Sequence, residues 1–157
     1  MADTPAVDPR EIAQLGLQMA GIDYVQAIFR GELPVPPISE TMGFRGVEAE
    51  PGRAVFEMEP GTQHYNPIGS VHGGVALTLL DSAMGCAVHT LLEPGVGYTT
   101  LEVKTNFVRP IKADTGVIRC EGIVIHKGSR VVTAEGKVTD AGGKLLAHGT
   151  TTCLIFQ

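Results

Sequence analysis

The stretch NPIGSVHGGVALTLLDSAMG, Asn66 to Gly85, decides how this chain folds. A His-Gly-Gly opens an almost wholly apolar run, and one carboxylate, Asp81, stands in its middle. Over Gly74–Leu92 the leucines, alanines and valines lie on nearly every side of a helix. They leave only a narrow stripe of Thr78, Asp81, Ser82, Gly85 and His89. A helix that is apolar almost all round is a buried helix. An unpaired carboxylate in such a place is costly or becomes neutral. Asp81 therefore reaches a sliver of solvent, meets a partner, or is used.

Outward from this helix the texture is that of strands. MGFRGVEAE and RAVFEME precede it, separated by the turn signal Pro51–Gly52, and four strand-like runs follow. In TLEVKTNFVRP, Leu101, Val103 and Phe107 fall on one face and Glu102, Lys104 and Asn106 on the other. In VVTAEGKVTD, Val132, Ala134, Gly136 and Val138 alternate with Thr133, Glu135, Lys137 and Thr139. Period two with one apolar face marks an antiparallel sheet covered on one side. HKGSR and DAGG have the length of hairpin connections. Two strands, a buried helix and four strands predict an α+β domain, a curved antiparallel sheet wrapped around a long central helix. Ala76, Ala83, Gly85 and Ala87 would let the sheet approach closely.

Residues 8–30 carry apolar side chains at helical spacing, with Gly21 breaking or bending the run into two short helices. GELPVPP, Gly31–Pro37, reads as an extended connector, because its three prolines fix φ and remove amide donors. The domain plan is thus an N-terminal helical extension over 1–38 and the sheet-and-helix domain over 39–157.

The chain has 157 residues, enough for one sizeable core, and a formal charge of −5 that argues against nucleic acid. Cys86, Cys120 and Cys153 lack zinc or redox-pair spacing and read as free thiols of a reducing cytosol. The first twenty residues lack the basic start and apolar run of a signal peptide, and no apolar stretch suffices to span a bilayer. The expectation is a soluble, cytoplasmic protein. The five histidines form no metal-ligand spacing, and no nucleophile elbow or phosphate loop occurs. No metal and no cofactor are expected.

Gly73 and Gly74 stand where the central helix begins, and the first N–H groups of a helix have no internal partner. Glycine lets a ligand atom come up to the amide, and the helix start favours a carbonyl oxygen gaining negative charge. An oxyanion donor and a carboxylate are two parts of an acyl-transfer site. Eight residues separate Gly73 from Asp81, ~12 Å along one helix. Both can serve one carbonyl carbon only if they come from different subunits, so the chemistry demands at least a dimer.

NPIGSVHGGV followed by LLDSAMG resembles the hotdog-fold acyl-CoA thioesterases, in particular the phenylacetyl-CoA thioesterase branch. FVRP (Phe107–Pro110), HKGSR and DAGGKLLAHGT fit the same family, and the likeness runs over about residues 40–156. The resemblance implies the hotdog fold, assembly as dimers and commonly tetramers, and hydrolysis of an acyl-CoA to a free acid and coenzyme A. In its terms Gly73 N–H donates to the thioester oxygen, and Asp81 of the other subunit is nucleophile or general base. Asn66 positions water or the carboxylate, or merely turns its loop. His72 braces the loop and helps polarise the site, or is a structural hydrogen-bonder. Thr100 falls where relatives hold water with a hydroxyl, though an ordinary solvated strand threonine is the alternative. Some relatives carry a hydroxyl one turn after the carboxylate, where this chain has Gly85.

Coenzyme A phosphates need basic partners. Lys127, Gly128, Ser129 and Arg130 at a turn, with Arg109, are the candidates, and a solvated hairpin tip is the plain alternative. Two rival functions are a non-catalytic acyl-CoA sensor and a hotdog dehydratase of hydroxyacyl thioesters. The acyl group itself stays open between aromatic and short or medium chains.

Overall fold

The computed structural model describes residues 8–157. The first seven residues, part of the segment read above as lacking a signal peptide, lie outside the described residues. Six strands form one antiparallel sheet: β1 (Phe44–Glu50), β2 (Arg53–Met58), β3 (Gly97–Phe107), β4 (Ile118–Lys127), β5 (Val131–Thr139) and β6 (Leu145–Phe156). Their spatial order is β1-β2-β4-β5-β6-β3, so β1 and β3 are the edges. Between β2 and β3 in sequence runs the central helix, which spans Gly73–His89. It contacts all six strands. Six strands reach one helix only if the sheet curls around it, which is the hotdog fold.

A row of glycines makes this embrace possible. Gly122 of β4, Gly136 of β5 and Gly149 of β6 pair across the middle of the sheet. A Cβ on Gly122 would lie 2.4 Å from the carbonyl of Ala83, and one on Gly136 2.8 Å from Leu80. The helix rests in this groove with Leu79, Leu80, Ala83, Met84 and Ala87 fully buried. Small residues on the helix were expected to permit the approach; Gly122 and Gly136 of the sheet contribute to it as well.

Three helices precede the sheet: α1 (Pro9–Gln18), α2 (Gly21–Phe29) and α3 (Pro37–Met42). The central helix is therefore α4. Asp8 caps α1, its side chain accepting from Arg10 N at 2.9 Å. The α1–α2 break falls at Met19–Ala20, so Gly21 does not break the run as expected but opens α2. It is glycine because α2 crosses the end of α4 closely: a Cβ would lie 1.8 Å from His89 O. The connector after α2 also ends sooner than expected. Pro37 starts a helical turn, as proline can at a first helical position.

The alternation in β3 is not the simple one read above. A bulge between Thr100 and Glu102 inserts Leu101 as an extra residue. Thr100 and Val103 consequently face the helix together, while Leu101 is 57% exposed and leaves the apolar face assigned to it. In β5 the expected alternation holds, with Val132, Ala134, Gly136 and Val138 inward.

Candidate active site

The stripe on α4 that interrupts its apolar surface faces away from the glycine row, and there the sheet does not close. Asp81, Ser82, Cys86 and His89 line a cavity of about 510 Å³ together with Tyr98 and Thr100 of β3. Its other walls are largely apolar, from α2 (Tyr24, Ile28, Phe29) and from β1 and β2 (Phe44, Phe56), with Ser39 and Arg45 as polar members. Asp81 is the carboxylate in this cavity, and Thr100 Oγ1 donates to its Oδ1 at 2.9 Å. That bond exists because the bulge at Leu101 turns Thr100 inward; without it strand parity would aim the hydroxyl at solvent. The same hydroxyl lies 3.9 Å from Cys153 Sγ. The solvated-threonine alternative is thus not what the fold adopts.

Burial disfavours charge on the thiol, imidazole and phenols of the cavity. It pushes the Cys86 thiol up to about 12, with the Asp81 charge adding to the effect. It raises the Tyr98 and Tyr24 hydroxyls above their ordinary range, with lesser contributions from neighbouring groups, and it lowers the His89 imidazole. A nucleophilic thiolate is therefore not on offer at Cys86. Tyr98 was absent from the sequence reading. Its ring lies across Gly85, where a Cβ would come within 3.0 Å of Oη. The phenol thus stands beside the helix position one turn after Asp81. Nothing in the local sequence links Gly85 to Tyr98, because their contact depends on the register of β3 over α4.

Asn66, His72, Gly73 and Arg109 gather elsewhere, in a surface cavity of about 440 Å³ at the start of α4. Asn66 folds its loop: Oδ1 accepts from Ile68 N (3.1 Å) and Ser70 N (3.2 Å), and Nδ2 donates to Ser70 Oγ (3.2 Å). His72 caps α4, its Nδ1 accepting from Gly74 N at 2.9 Å. Gly74 N–H is thereby occupied. The Gly73 N–H, one position earlier, has no acceptor among the described residues. Phe107 lies against it, 2.9 Å from where a Cβ would stand. Arg109 is exposed and donates to Leu145 O at 2.6 Å.

The turn holding Lys127, Gly128, Ser129 and Arg130 is at the opposite end of α4. Lys127 Nζ donates to Leu91 O at 2.6 Å, and the four residues border an open groove of about 650 Å³ beside Glu93. Leu91 lies just past the end of α4, whose last residue, His89, is ~12 Å along the helix axis from Asp81. One chain therefore keeps the three groups of candidate residues apart. Among the described residues no cluster of His, Cys, Asp and Glu could hold a metal ion, and no helix is long and apolar enough to cross a membrane.

Known proteins resemble this chain in sequence and in fold. The 1,4-dihydroxy-2-naphthoyl-CoA hydrolase of Listeria monocytogenes is 31% identical over 109 residues, covering 69% of this chain and 87% of that protein. Human acyl-coenzyme A thioesterase 13 is 27% identical over 66% of this chain and 73% of its own. Among solved structures, a phenylacetic acid degradation-related protein from Ralstonia eutropha JMP134 superposes with a TM-score of 0.75 at 30% identity. It covers 83% of this chain and 98% of that one. The family model of the thioesterase superfamily matches residues 68–147, the segment that supplies Gly73, Asp81 and Thr100. The chain belongs to the thioesterase superfamily, as a hotdog-fold thioester hydrolase.

Proposed function

We propose that the protein hydrolyses acyl-CoA thioesters at sites shared between two copies of the chain, each pairing Asp81 of one copy with the Gly73 N–H of the other. The observation that carries this reading is the Thr100–Asp81 hydrogen bond at the edge of an apolar cavity. It leaves a carboxylate oriented and ready, while the free N–H that could meet an oxyanion is ~12 Å away on the same helix. As general base, Asp81 takes a proton from a water whose oxygen attacks the thioester carbon. As nucleophile, it attacks the carbon itself and water opens the resulting anhydride. In both routes the carbonyl oxygen gains the charge that the partner's Gly73 N–H meets. The C–S bond then breaks and the coenzyme A sulfur takes up a proton. Asn66 and His72 shape the loop that presents Gly73. Arg109 and the Lys127–Arg130 turn are the partners assigned to the coenzyme A phosphates, and the acid released is aromatic or of short to medium length.

The pairing has a natural symmetry. A twofold axis that pairs Asp81 of one copy with Gly73 of the other would pass between the two copies, level with Leu77 of α4 and with Val103 of β3. β3 is an edge strand, and Leu77, Leu101 and Phe107 are exposed along this line. Antiparallel pairing of β3 with its own copy would cover the apolar groups and satisfy the unpaired edge.

Subunit mixing tests the reading. Asp81→Asn removes the carboxylate, and Gly73→Pro removes the N–H at a first helical position that tolerates proline. His72, at φ −59° and ψ 135°, already has the conformation a residue before proline needs. Each variant alone should lose about a hundredfold or more in kcat, measured as coenzyme A release. Refolded together in equal amounts they should recover about a quarter of wild-type activity, from hybrid dimers with one intact site. Folded hybrids with no recovery would exclude the shared site, and full activity of Asp81→Asn would exclude the mechanism. A wild-type protein that binds acyl-CoA and releases no thiol would point to the sensor instead.

A further inference from the structure

The family match begins at residue 68, so α1, α2 and the connector after them lie outside it. α2 and the connector nonetheless build one side of the Asp81 cavity. α2 is seated by contacts that leave it no play: Gly21 N donates to Leu92 O and Gln26 Nε2 to Ala49 O, both at 2.9 Å. The missing Cβ of Gly21 admits His89 O, and Phe29 nests over Gly46, where a Cβ would come within 2.0 Å of the ring. From this fixed helix Tyr24 reaches His89, ring centroids 5.2 Å apart, and His89 reaches Tyr98 at 5.4 Å. The three rings form a continuous wall across the end of the cavity toward the C-terminus of α4.

We infer that this wall sets the size of the acyl group: the space between Asp81 and Tyr24–His89–Tyr98 takes one ring or a chain of about six carbons. The inference rests on the acyl-CoA reading above. His89 stands eight residues past Asp81, ~12 Å along the helix, and its ring and that of Tyr98 fill the last part of that length. An extended chain advances ~1.3 Å per carbon, so a hexanoyl group reaches ~6 Å and a dodecanoyl group ~14 Å. The longer chain must turn aside through the gap between the connector and β1. There Val35 and Ile38, 40% and 48% exposed, leave it largely in water. Its extra methylenes then contribute little burial.

The test compares hexanoyl-CoA with dodecanoyl-CoA, by kcat/KM and by calorimetric binding to the Asp81→Asn protein. The wild type should prefer hexanoyl-CoA in both. Tyr24→Ala opens the wall and should raise the dodecanoyl-to-hexanoyl ratio at least about tenfold. Tyr24→Phe loses the hydroxyl's bond to Ile12 O (3.0 Å) but keeps the ring, and should leave the ratio unchanged. Ile28→Phe narrows the cavity from α2 and should shift preference from hexanoyl-CoA toward acetyl-CoA. If Tyr24→Ala fails to fold, His89→Ala opens the same wall. A ratio that stays at the wild-type value in a folded opened variant overturns the inference, as does a wild type that takes dodecanoyl-CoA equally well. Failure of the wild type to hydrolyse any acyl-CoA overturns the functional reading instead, and the binding ratios still decide the wall.

Discussion

Two faces of α4 do opposite work. One presses Leu79, Leu80, Ala83, Met84 and Ala87 into a groove whose floor is the row Gly122, Gly136, Gly149. Nothing polar from the helix's side chains enters that contact, and no space is left in it. The other face carries Asp81, Ser82, Gly85, Cys86 and His89, and the chain leaves a cavity of about 510 Å³ over it. The difference shows how a carboxylate survives in a buried helix. The fold spends its packing on one side of the cylinder and reserves the other for a hydrogen-bonded, ligand-sized space. Stability and function are thus separated by half a turn of helix rather than by distance along the chain.

Leu80 and Asp81, adjacent in sequence and on opposite faces, offer the sharpest way to break this division. Asp81→Asn should lower kcat by about 10²–10⁴-fold while the denaturation midpoint stays near wild type. Leu80→Ala should cost about 2–5 kcal/mol of stability and leave kcat per folded molecule intact. If Asp81→Asn instead unfolds the protein, its carboxylate belongs to the core and the two faces are not separate. The glycines give a second contrast of the same kind. Gly122→Ala drives a Cβ against the backbone of α4 and should cost about 3 kcal/mol. Gly85→Ala meets only the tip of Tyr98, which can move into the cavity, so it should cost under about 1 kcal/mol and alter acyl preference.

Thr100 probes the border between the two faces. Thr100→Val keeps the shape and removes the donor to Asp81, and about tenfold should be lost from kcat with little change in melting temperature. Thr100→Ser should restore most of that loss. Full activity in Thr100→Val together with a loss in Thr100→Ser would make the methyl, not the hydroxyl, the functional part.

How much of this was legible in the residues follows the range of the interactions. The buried helix, the succession of two strands, helix and four strands along the chain, and the separation of Gly73 from Asp81 are local periodicities and fixed helical rise, and they read directly. The inward turn of Thr100 was hidden by one extra residue, Leu101, because a bulge reverses parity without any strong sequence mark. The alternation of β3 therefore gave Leu101 the wrong face and Thr100 the wrong neighbours. The roles of Gly21 and Gly85 were hidden for another reason: each is defined by what approaches it, His89 O and Tyr98 Oη, from distant parts of the chain. The glycine row across β4, β5 and β6 is likewise a fact of register, invisible until the strands are paired.

His89 gives the smallest effect and a test of whether the open face is open to solvent or only to ligand. Its imidazole is lowered from the ordinary 6.5 by burial, and no carboxylate offsets that cost. The rings packed on it, Tyr24 and Tyr98, and the neighbouring Cys86 all have their ionisations pushed upward, so they stay neutral at mild pH. Below pH 6.5 the unfolded chain therefore binds a proton at this position that the folded chain refuses. Stability must fall as pH drops through that region and level off once the folded imidazole also protonates. One such proton can contribute a slope of at most ~1.4 kcal/mol per pH unit. Urea titrations at pH 7.5 and 5.5 should show a smaller loss for His89→Phe, which keeps a ring in the wall and cannot titrate. Identical losses for the two proteins would mean that water reaches the imidazole, and the wall would then be a solvent channel.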